Sequence, residues 1–332
     1  MKKQSILLRL MAFTKKYSLY WTGALLCAVL SVSLTLLAPV IIGQGVDLIV
    51  GAGDVDFSGL LRVLVLLGAV ILLGAGFQWL LALFTNLLTQ RTVRDLRAAA
   101  FDKLDRAPLK YIDGNAHGDI ISRVVTDIDL ISEGLLQGFT QLFTGVITIL
   151  GTLCFMLGVN AKIALAVVLI TPLSLFVASF IAKRSHSLFS VQSAARGEMG
   201  GFVEEMIGNQ KVVKAFGHES EAEKAFDGIN QKLYQSGVKS QFYSSMTNPS
   251  TRFVNGLVYA TVGVTGAFAA IRGVLTVGQV SCFLTYANQY TKPFNEISGV
   301  VTELQTAMAS AARVFKLLDE PEETPDAPDA VS

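Results

Sequence analysis

Asn288, Lys292, Asn295 and Gly299 recur at intervals of three or four inside an apolar stretch. On a helix that spacing puts them on one face, with Glu296 one turn beyond Lys292. An ammonium group near mid-bilayer costs about 2.5–3.5 kcal/mol on insertion scales, so a lysine there faces water or a partner and not lipid. Counted from Val274, Lys292 lies roughly 27 Å along the helix, close to an interface, where a long side chain can also snorkel cheaply to the headgroups. Both readings are open: lining of a polar cavity together with Asn288, Asn295 and Glu296, or snorkelling. Pro293 lacks an N–H and leaves a carbonyl free, which predicts a kink. Asn255 and Tyr259, four residues apart on the preceding apolar stretch, fit either the same cavity or a helix–helix hydrogen bond.

Other chemistry is excluded residue by residue. His218-Glu219 begins like a zinc-protease helix, but the second histidine position holds Ala222. No G-x-S-x-G nucleophile turn occurs, and no Gly-Lys dipeptide, so the phosphate-cradling G-x-x-x-x-G-K-[ST] loop is missing. His117, His186 and His218 are scattered over polar stretches. Cys27, Cys154 and Cys282 all fall in apolar ones, far apart, and read as small hydrophobes. No residue is assigned to catalysis, to a metal or to a cofactor.

The elements that must position these residues are membrane spans. The 332-residue chain is 52% hydrophobic and only 16% charged, with a mean hydropathy of +0.51, less charge than a soluble chain carries. Six apolar segments, at about 20–50, 60–90, 135–158, 161–182, 253–271 and 274–301, each approach the roughly 20 residues a spanning helix needs. Connectors one, three and five are short; those over about 91–134 and 183–252 are long, and with six passes they share a side with both termini. Lysine and arginine crowd those long connectors and the N-terminal stretch, while the short connectors and their margins hold only Arg62, Lys162 and Arg272. That asymmetry places both termini and both long connectors in the cytoplasm. Basic residues 2, 3, 9, 15 and 16 flank Ile6, Leu7, Leu10 and Met11 at helical spacing, which predicts an amphipathic elbow on the inner membrane surface. The net charge of +1 gives no footprint for nucleic acid.

Each long connector reads as helix, short break, helix. The first continues from the second span to Pro108, which predicts a helix of about 70 Å from Leu60 to Ala107. The second holds no proline between Pro172 and Pro249, and its break is expected at Gly208-Asn209-Gln210, with another glycine at Gly217. Asp102 with Arg106 and Arg123 with Asp127 sit at i,i+4 and are expected to pair along their helices. Gly134 and Gly138 have the small-x-x-x-small spacing common in membrane helices. Tips held far from the bilayer suit a lever that moves the spans as rigid bodies, or equally a static coiled-coil stalk.

Three stretches carry a family resemblance. Tyr111-Ile112-Asp113-Gly114-Asn115-Ala116-His117-Gly118-Asp119-Ile120-Ile121-Ser122-Arg123-Val124-Val125-Thr126-Asp127-Ile128-Asp129 resembles the first intracellular loop of ATP-binding-cassette (ABC) exporters. Val212-Val213-Lys214-Ala215-Phe216-Gly217-His218-Glu219-Ser220-Glu221, followed by Phe226, is similar to the second loop. Ala312-Arg313-Val314-Phe315-Lys316-Leu317-Leu318-Asp319-Glu320-Pro321 resembles the exit of the sixth helix toward the nucleotide-binding domain. The three motifs occur in order around the spans and cover nearly the whole chain.

The resemblance implies an all-α membrane protein of the type IV exporter fold, with six transmembrane helices and long cytoplasmic extensions. Its implied divisions are an elbow over 1–18, the transmembrane domain over 19–318 and a linker over 319–332. It also implies a second transmembrane domain, as homodimer or heterodimer with helices exchanged, and alternating access for a hydrophobic or amphipathic substrate. Coupling helices within Asp113–Ile121 and about Asn209–Ser220 would dock on nucleotide-binding domains. Asp113, Gly114, Asn115, His117, Gly118 and Asp119 belong to the first, and Lys214, Phe216, Gly217, His218 and Glu219 to the second, with Phe216 as apolar anchor. Arg123 and Asp127 would brace the loop.

The ATPase of that family is missing: its Gly-Gly-Gln signature is absent along with the phosphate loop. The chain is therefore expected not to be an enzyme by itself. ATP and magnesium are implied only for nucleotide-binding domains in cis or in trans, whether this chain is cut from a longer one or a natural half. A bacterial inner membrane is the expected location. Among rivals, a channel lacks a re-entrant filter, an embedded enzyme lacks intramembrane ionisable pairs, and an ion-coupled secondary transporter would more often show broken helices.

Overall fold

The computed structural model of the chain describes residues 6–49 and 55–323. Every regular element among them is an α-helix: α1 (Ile6–Lys15), α2 (Ser18–Asp47), α3 (Phe57–Asp105), α4 (Leu109–Asp113), α5 (His117–Val124), α6 (Thr126–Val159), α7 (Ala161–Gly208), α8 (Gln210–Ala215), α9 (Glu219–Ser245), α10 (Thr247–Ile271) and α11 (Val277–Leu318). Helices α2, α3, α6, α7, α10 and α11 carry the six apolar segments in order. By length and composition alone, four helical stretches among the described residues can cross a membrane: Ser18–Asp47, Phe57–Asp105, His117–Val159 and Glu219–Ile271; Ala161–Leu173 is a shorter apolar one. Residues 1–5 of the elbow, 50–54 of the first connector and 324–332 of the linker lie outside the described residues.

Helix lengths follow from where stop signals fall. Asp56 starts α3 by accepting hydrogen bonds from the Ser58 and Gly59 N–H groups, the acceptor an N-terminus needs. With nothing to stop it before Pro108, α3 runs for 49 residues, about 73 Å, far beyond the roughly 30 Å of hydrocarbon in a bilayer. Helix α7 runs 48 residues, through Pro172 near its start, and ends at Gly208.

The helices fall into two compact units: Met1–Ala164 with Gly263–Ser332, and Leu165–Val262. In the first, α2 packs along α3 and α6 packs along α11. Leu81, Leu88 and Leu96 of α3, Ile128 and Ile131 of α6, and Val314 of α11 are completely buried or nearly so. Trp21 meets Phe139 and Phe143 edge-on at 4.9 and 5.2 Å. Two contacts admit only glycine or a very small residue. A Cβ on Gly278 would lie 1.9 Å from the Gly43 carbonyl oxygen, and one on Gly134 would lie 2.3 Å from the Ala307 Cβ, so the small-residue spacing of α6 serves its packing on α11. At the end of α2, Asp47 accepts from the Thr276 hydroxyl (2.7 Å) and the Gly278 N–H (2.8 Å), adding to the capping box that starts α11.

In the second unit the polar lengths of α7 and α9 pair. Ser240 donates to Gln192 at 2.7 Å, Lys232 pairs with Glu198 at 3.2 Å, and the Phe202 and Phe226 rings lie 6.5 Å apart.

Candidate coupling loops and translocation residues

The first tip is built by two short helices after Pro108. Helix α4 ends at Gly114, whose N–H reaches back to the Lys110 carbonyl (3.1 Å), and Asn115 donates its amide to the Tyr111 carbonyl (2.7 Å). One face of the loop is closed by Arg123, which donates to the Tyr111 hydroxyl (3.0 Å) and pairs with Asp119 (2.6 Å); Ile120 is buried beside them. The opposite face presents Asp113, Gly114, His117, Gly118 and Ile121 to the outside.

Here the expected Arg123–Asp127 pair is corrected. Helix α5 ends at Val124 and α6 begins at Thr126, with Val125 at φ −102° and ψ −73° between them, and each of the two side chains has another partner. Arg123 turns back to Asp119. Asp127, almost wholly buried in the first turn of α6, is held by both ends of the Arg313 guanidinium from α11, which also donates to Ser310 at 3.1 Å. Fork-on-carboxylate pairing of this kind adds direction as well as strength, and it holds Arg313 firmly in its charged form. The Asp102–Arg106 pair is present at 3.1 Å.

The second tip is α8. Phe216 follows it, 83% exposed. Gly217 then adopts φ +60°, a left-handed conformation that favours glycine, and the His218 N–H closes the turn on the Val213 carbonyl at 3.0 Å. Lys214, His218 and Glu219 are exposed, with His218 Nδ1 3.7 Å from Glu221. Among the described residues no group of three metal-ligating side chains forms.

The translocation candidates divide between the units, Asn255 and Tyr259 in the second and the others in the first. Lys292 is exposed with its Nζ 4.0 Å from Glu296 Oε1, and Asn288 is exposed on the same helix. The Asn295 side chain lies outside the described residues. Tyr259 is exposed, while the Asn255 side-chain oxygen is buried without a hydrogen-bond partner among the described residues. Helix α11 continues unbroken past Pro293, which is buried and packs near Gly145 of α6.

Sequence reasoning missed what α1 does at the C-terminal end of α11. Arg9 of α1 pairs with both oxygens of Asp319 (2.6 and 2.7 Å) and lies 4.4 Å over the Phe315 ring, and Phe13 stacks on the same ring at 6.3 Å. Lys103 reaches Glu322 at 3.3 Å, and the Glu323 N–H donates to the Arg106 carbonyl at 3.0 Å. The exit of α11 is thus held by α1, α3 and α6. The motif Ala312-Arg313-Val314-Phe315 pointed to this segment but not to its partners.

Residues 21–294 match the model of the ABC transporter transmembrane region. The chain belongs to that family. It is 37% identical over 283 residues to the fatty acid ABC transporter ATP-binding/permease protein of Mycobacterium bovis, covering 85% of this chain and 45% of that one. To the ABC transporter ATP-binding protein YfiC of Bacillus subtilis it is 31% identical over 308 residues, covering 92% and 50%. An ATP-dependent lipid A-core flippase of Thiobacillus denitrificans is 27% identical over 230 residues, covering 69% and 40%. The chain spans about half the length of these curated relatives or less. As a member of this family it is a membrane-spanning transporter domain with exporter relatives.

Proposed function

We propose that the chain is the substrate-translocating domain of an ATP-driven exporter, working by alternating access and driven through α4–α5 and α8. The observation that carries this reading is the position of those short helices. Each caps helices far longer than a bilayer is thick, and each presents side chains that the unit itself leaves uncovered, Phe216 above all.

In this reading α2, α3, α6, α7, α10 and α11 span a bacterial inner membrane with both termini and both tips in the cytoplasm. ATP and magnesium are held by nucleotide-binding domains, in cis or in trans, and no residue of this chain is assigned to them. Arg123 and Tyr111 tie α5 to α4, so that a push on either passes along the backbone at Val125 into the start of α6, and through Asp127–Arg313 to α11, which moves the end of the helix bearing Lys292. The second unit requires a partner transmembrane domain to cover it. The substrate class suggested by relatives named for fatty acids and for lipid A-core is an amphiphile with acyl chains; Asn255, Tyr259, Asn288, Lys292, Asn295 and Glu296 are the polar groups available to meet its head.

The test is Phe216→Ala in the transporter assembled with its nucleotide-binding domains in proteoliposomes. Transport of a fluorescent fatty acid should fall about tenfold, a loss of about 1.4 kcal/mol of coupling, while ATP hydrolysis persists. Transport and hydrolysis both at the parent level would refute the role of α8.

A further inference from the structure

Helices α6 and α11 run antiparallel within the first unit, and two contacts fix their register. The Phe155 and Tyr286 rings lie 5.9 Å apart. Further along the seam, a Cβ on Gly145 would lie 3.8 Å from the Pro293 Cβ. Thr152 shares the face of α6 that carries Gly145 and Phe155, and Gln289 the face of α11 that carries Tyr286 and Pro293, by helical spacing. Thr152 and Gln289 therefore stand opposite each other between the two contacts.

Each brings an oxygen to the seam that the protein leaves unmet. Thr152 is completely buried, and its Oγ1 has no hydrogen-bond partner among the described residues; the same holds for the buried Gln289 Oε1. Threonines elsewhere in these helices settle the matter locally. Thr85, Thr92, Thr144, Thr171 and Thr291 each donate to the carbonyl four residues back, at 2.8–3.1 Å. Thr152 does not, so its hydroxyl is not spent on its own helix. The Tyr286 hydroxyl, one turn from Gln289, is already donated to the Leu36 carbonyl at 2.5 Å. A third acceptor follows from covalent chemistry. Pro293 has no N–H, so the Gln289 carbonyl four residues before it lacks its helical donor.

We infer that one water molecule is bound in this seam, between Thr152 Oγ1, Gln289 Oε1 and the Gln289 carbonyl. A buried water takes two to four polar partners, and these groups supply them. All three oxygens accept and only the hydroxyl can also give, so the occupant must bring donors. A cation would also be drawn to oxygens, but a charge buried between apolar helices needs a carboxylate beside it. Glu296, the nearest acid along α11, stands about two turns from Gln289 and 4.0 Å from the exposed Lys292. A neutral donor is what remains. Ordered water commonly serves the carbonyl that a proline frees in a membrane helix, and helices bend where water enters the ladder. The site thus marks the turn of α11 with the fewest fixed bonds, the turn that bears Lys292. It draws on the α6–α11 seam alone and is independent of ATP coupling and of any substrate.

The experiment exposes the full chain in nanodiscs to a short synchrotron X-ray dose, which turns bound water into hydroxyl radicals that oxidise the side chains beside it. Tyr286 should be oxidised about fivefold faster than Phe283, which is just as completely buried one turn earlier. In the double variant Thr152→Val with Gln289→Met, the Tyr286 rate should fall to that of Phe283. Melting temperatures give a second reading. Where water joins the two groups, each single variant orphans the other and lowers the melting temperature by about 2–4 °C, and the double variant recovers it. Two groups that merely lack partners would instead give a rise in each single variant, adding in the double. Tyr286 oxidised no faster than Phe283, an unchanged Tyr286 rate in the folded double variant, or additive rises in melting temperature overturns the site. Stabilisation by sodium chloride over choline chloride that Thr152→Val abolishes would overturn water as the occupant and assign a cation.

Discussion

Helices α3 and α7 are nearly the same length, 49 and 48 residues, yet they belong to units of opposite character. Along α3, Leu81, Leu88, Leu96 and Ala100 are completely buried against α2, α6 and α11. Along α7, Phe176 is 71% and Ile207 71% exposed. Exposure of Phe176 within an apolar segment is compatible with lipid. Exposure of Ile207, and of Val238 and Phe242 on α9, falls in the long connector, where water would surround it. Apolar side chains gathered there mark contact surface. The first unit holds the large buried core, and the second carries exposed apolar side chains along both its long helices.

Glycine replacement should break this contrast with the largest effect. Gly278→Leu in the first unit must displace the Gly43 backbone, since even a Cβ would come to 1.9 Å from its carbonyl oxygen. Backbone cannot yield as a flexible side chain does, so a loss of about 3 kcal/mol or more is expected, seen as loss of folded, monodisperse protein on size exclusion. Gly228→Leu on α9 meets nothing within 4 Å and should leave the melting temperature unchanged or raise it slightly, because leucine is the better helix former by about 0.5–1 kcal/mol. Equal damage at both sites would mean that the second unit packs as tightly as the first.

The ion pairs give the next largest difference. Asp127 is almost fully buried while Arg313 is half exposed. Arg313→Ala leaves a buried carboxylate without its fork, and a cost of about 1–3 kcal/mol follows, less than a fully buried pair would show because water reaches the arginine side. Lys232→Ala in the second unit removes only an exposed partner of Glu198, and its effect should stay below about 1 kcal/mol. Thermal melts in one detergent separate the two. In the assembled transporter Arg313→Ala should also lower coupling, since it severs α11 from the start of α6; full coupling would remove that pair from the proposed route.

How far these features could be read from the sequence depends on their range along the chain. The breaks at Pro108, Gly208-Asn209-Gln210 and Gly217 act through neighbouring backbone, and helix ends fall at or near all three. The Asp102–Arg106 pair needs only helical spacing. Arg123 looked equally local, but it pairs with Asp119 while Asp127 is taken by Arg313, 186 residues away along the chain. The grip on α11 by Arg9, Asp127 and the Arg106 carbonyl joins positions hundreds of residues apart, and nothing in local spacing marks it. The elbow was legible as amphipathic; that its apolar face seats Leu10 and Phe13 on α11 was not. Pro293 lies inside α11, and its packing near Gly145 of α6 was not marked by any local spacing.

The smallest expected effect concerns acid and again falls on one unit. The Arg9 guanidinium, donating to both oxygens of Asp319, holds that carboxyl below its ordinary value near 3.8, against a partial opposing push from burial. A carboxyl depressed in the folded state binds fewer protons there than when α1 is detached. The contact therefore contributes in full above about pH 4 and is lost as pH falls through the folded value. Asp319 is 60% exposed, so solvent screens the pair and the contribution is small. Crosslinking between cysteines placed at Ala12 and Lys316 should be constant from about pH 8 to 5 and decline only below about 4. Asp319→Asn should lower crosslinking at neutral pH and flatten the acid limb. Lys232→Ala, in the second unit, should leave both limbs as they are. A decline beginning near pH 6 would remove the Arg9–Asp319 pair as the contact that holds α1.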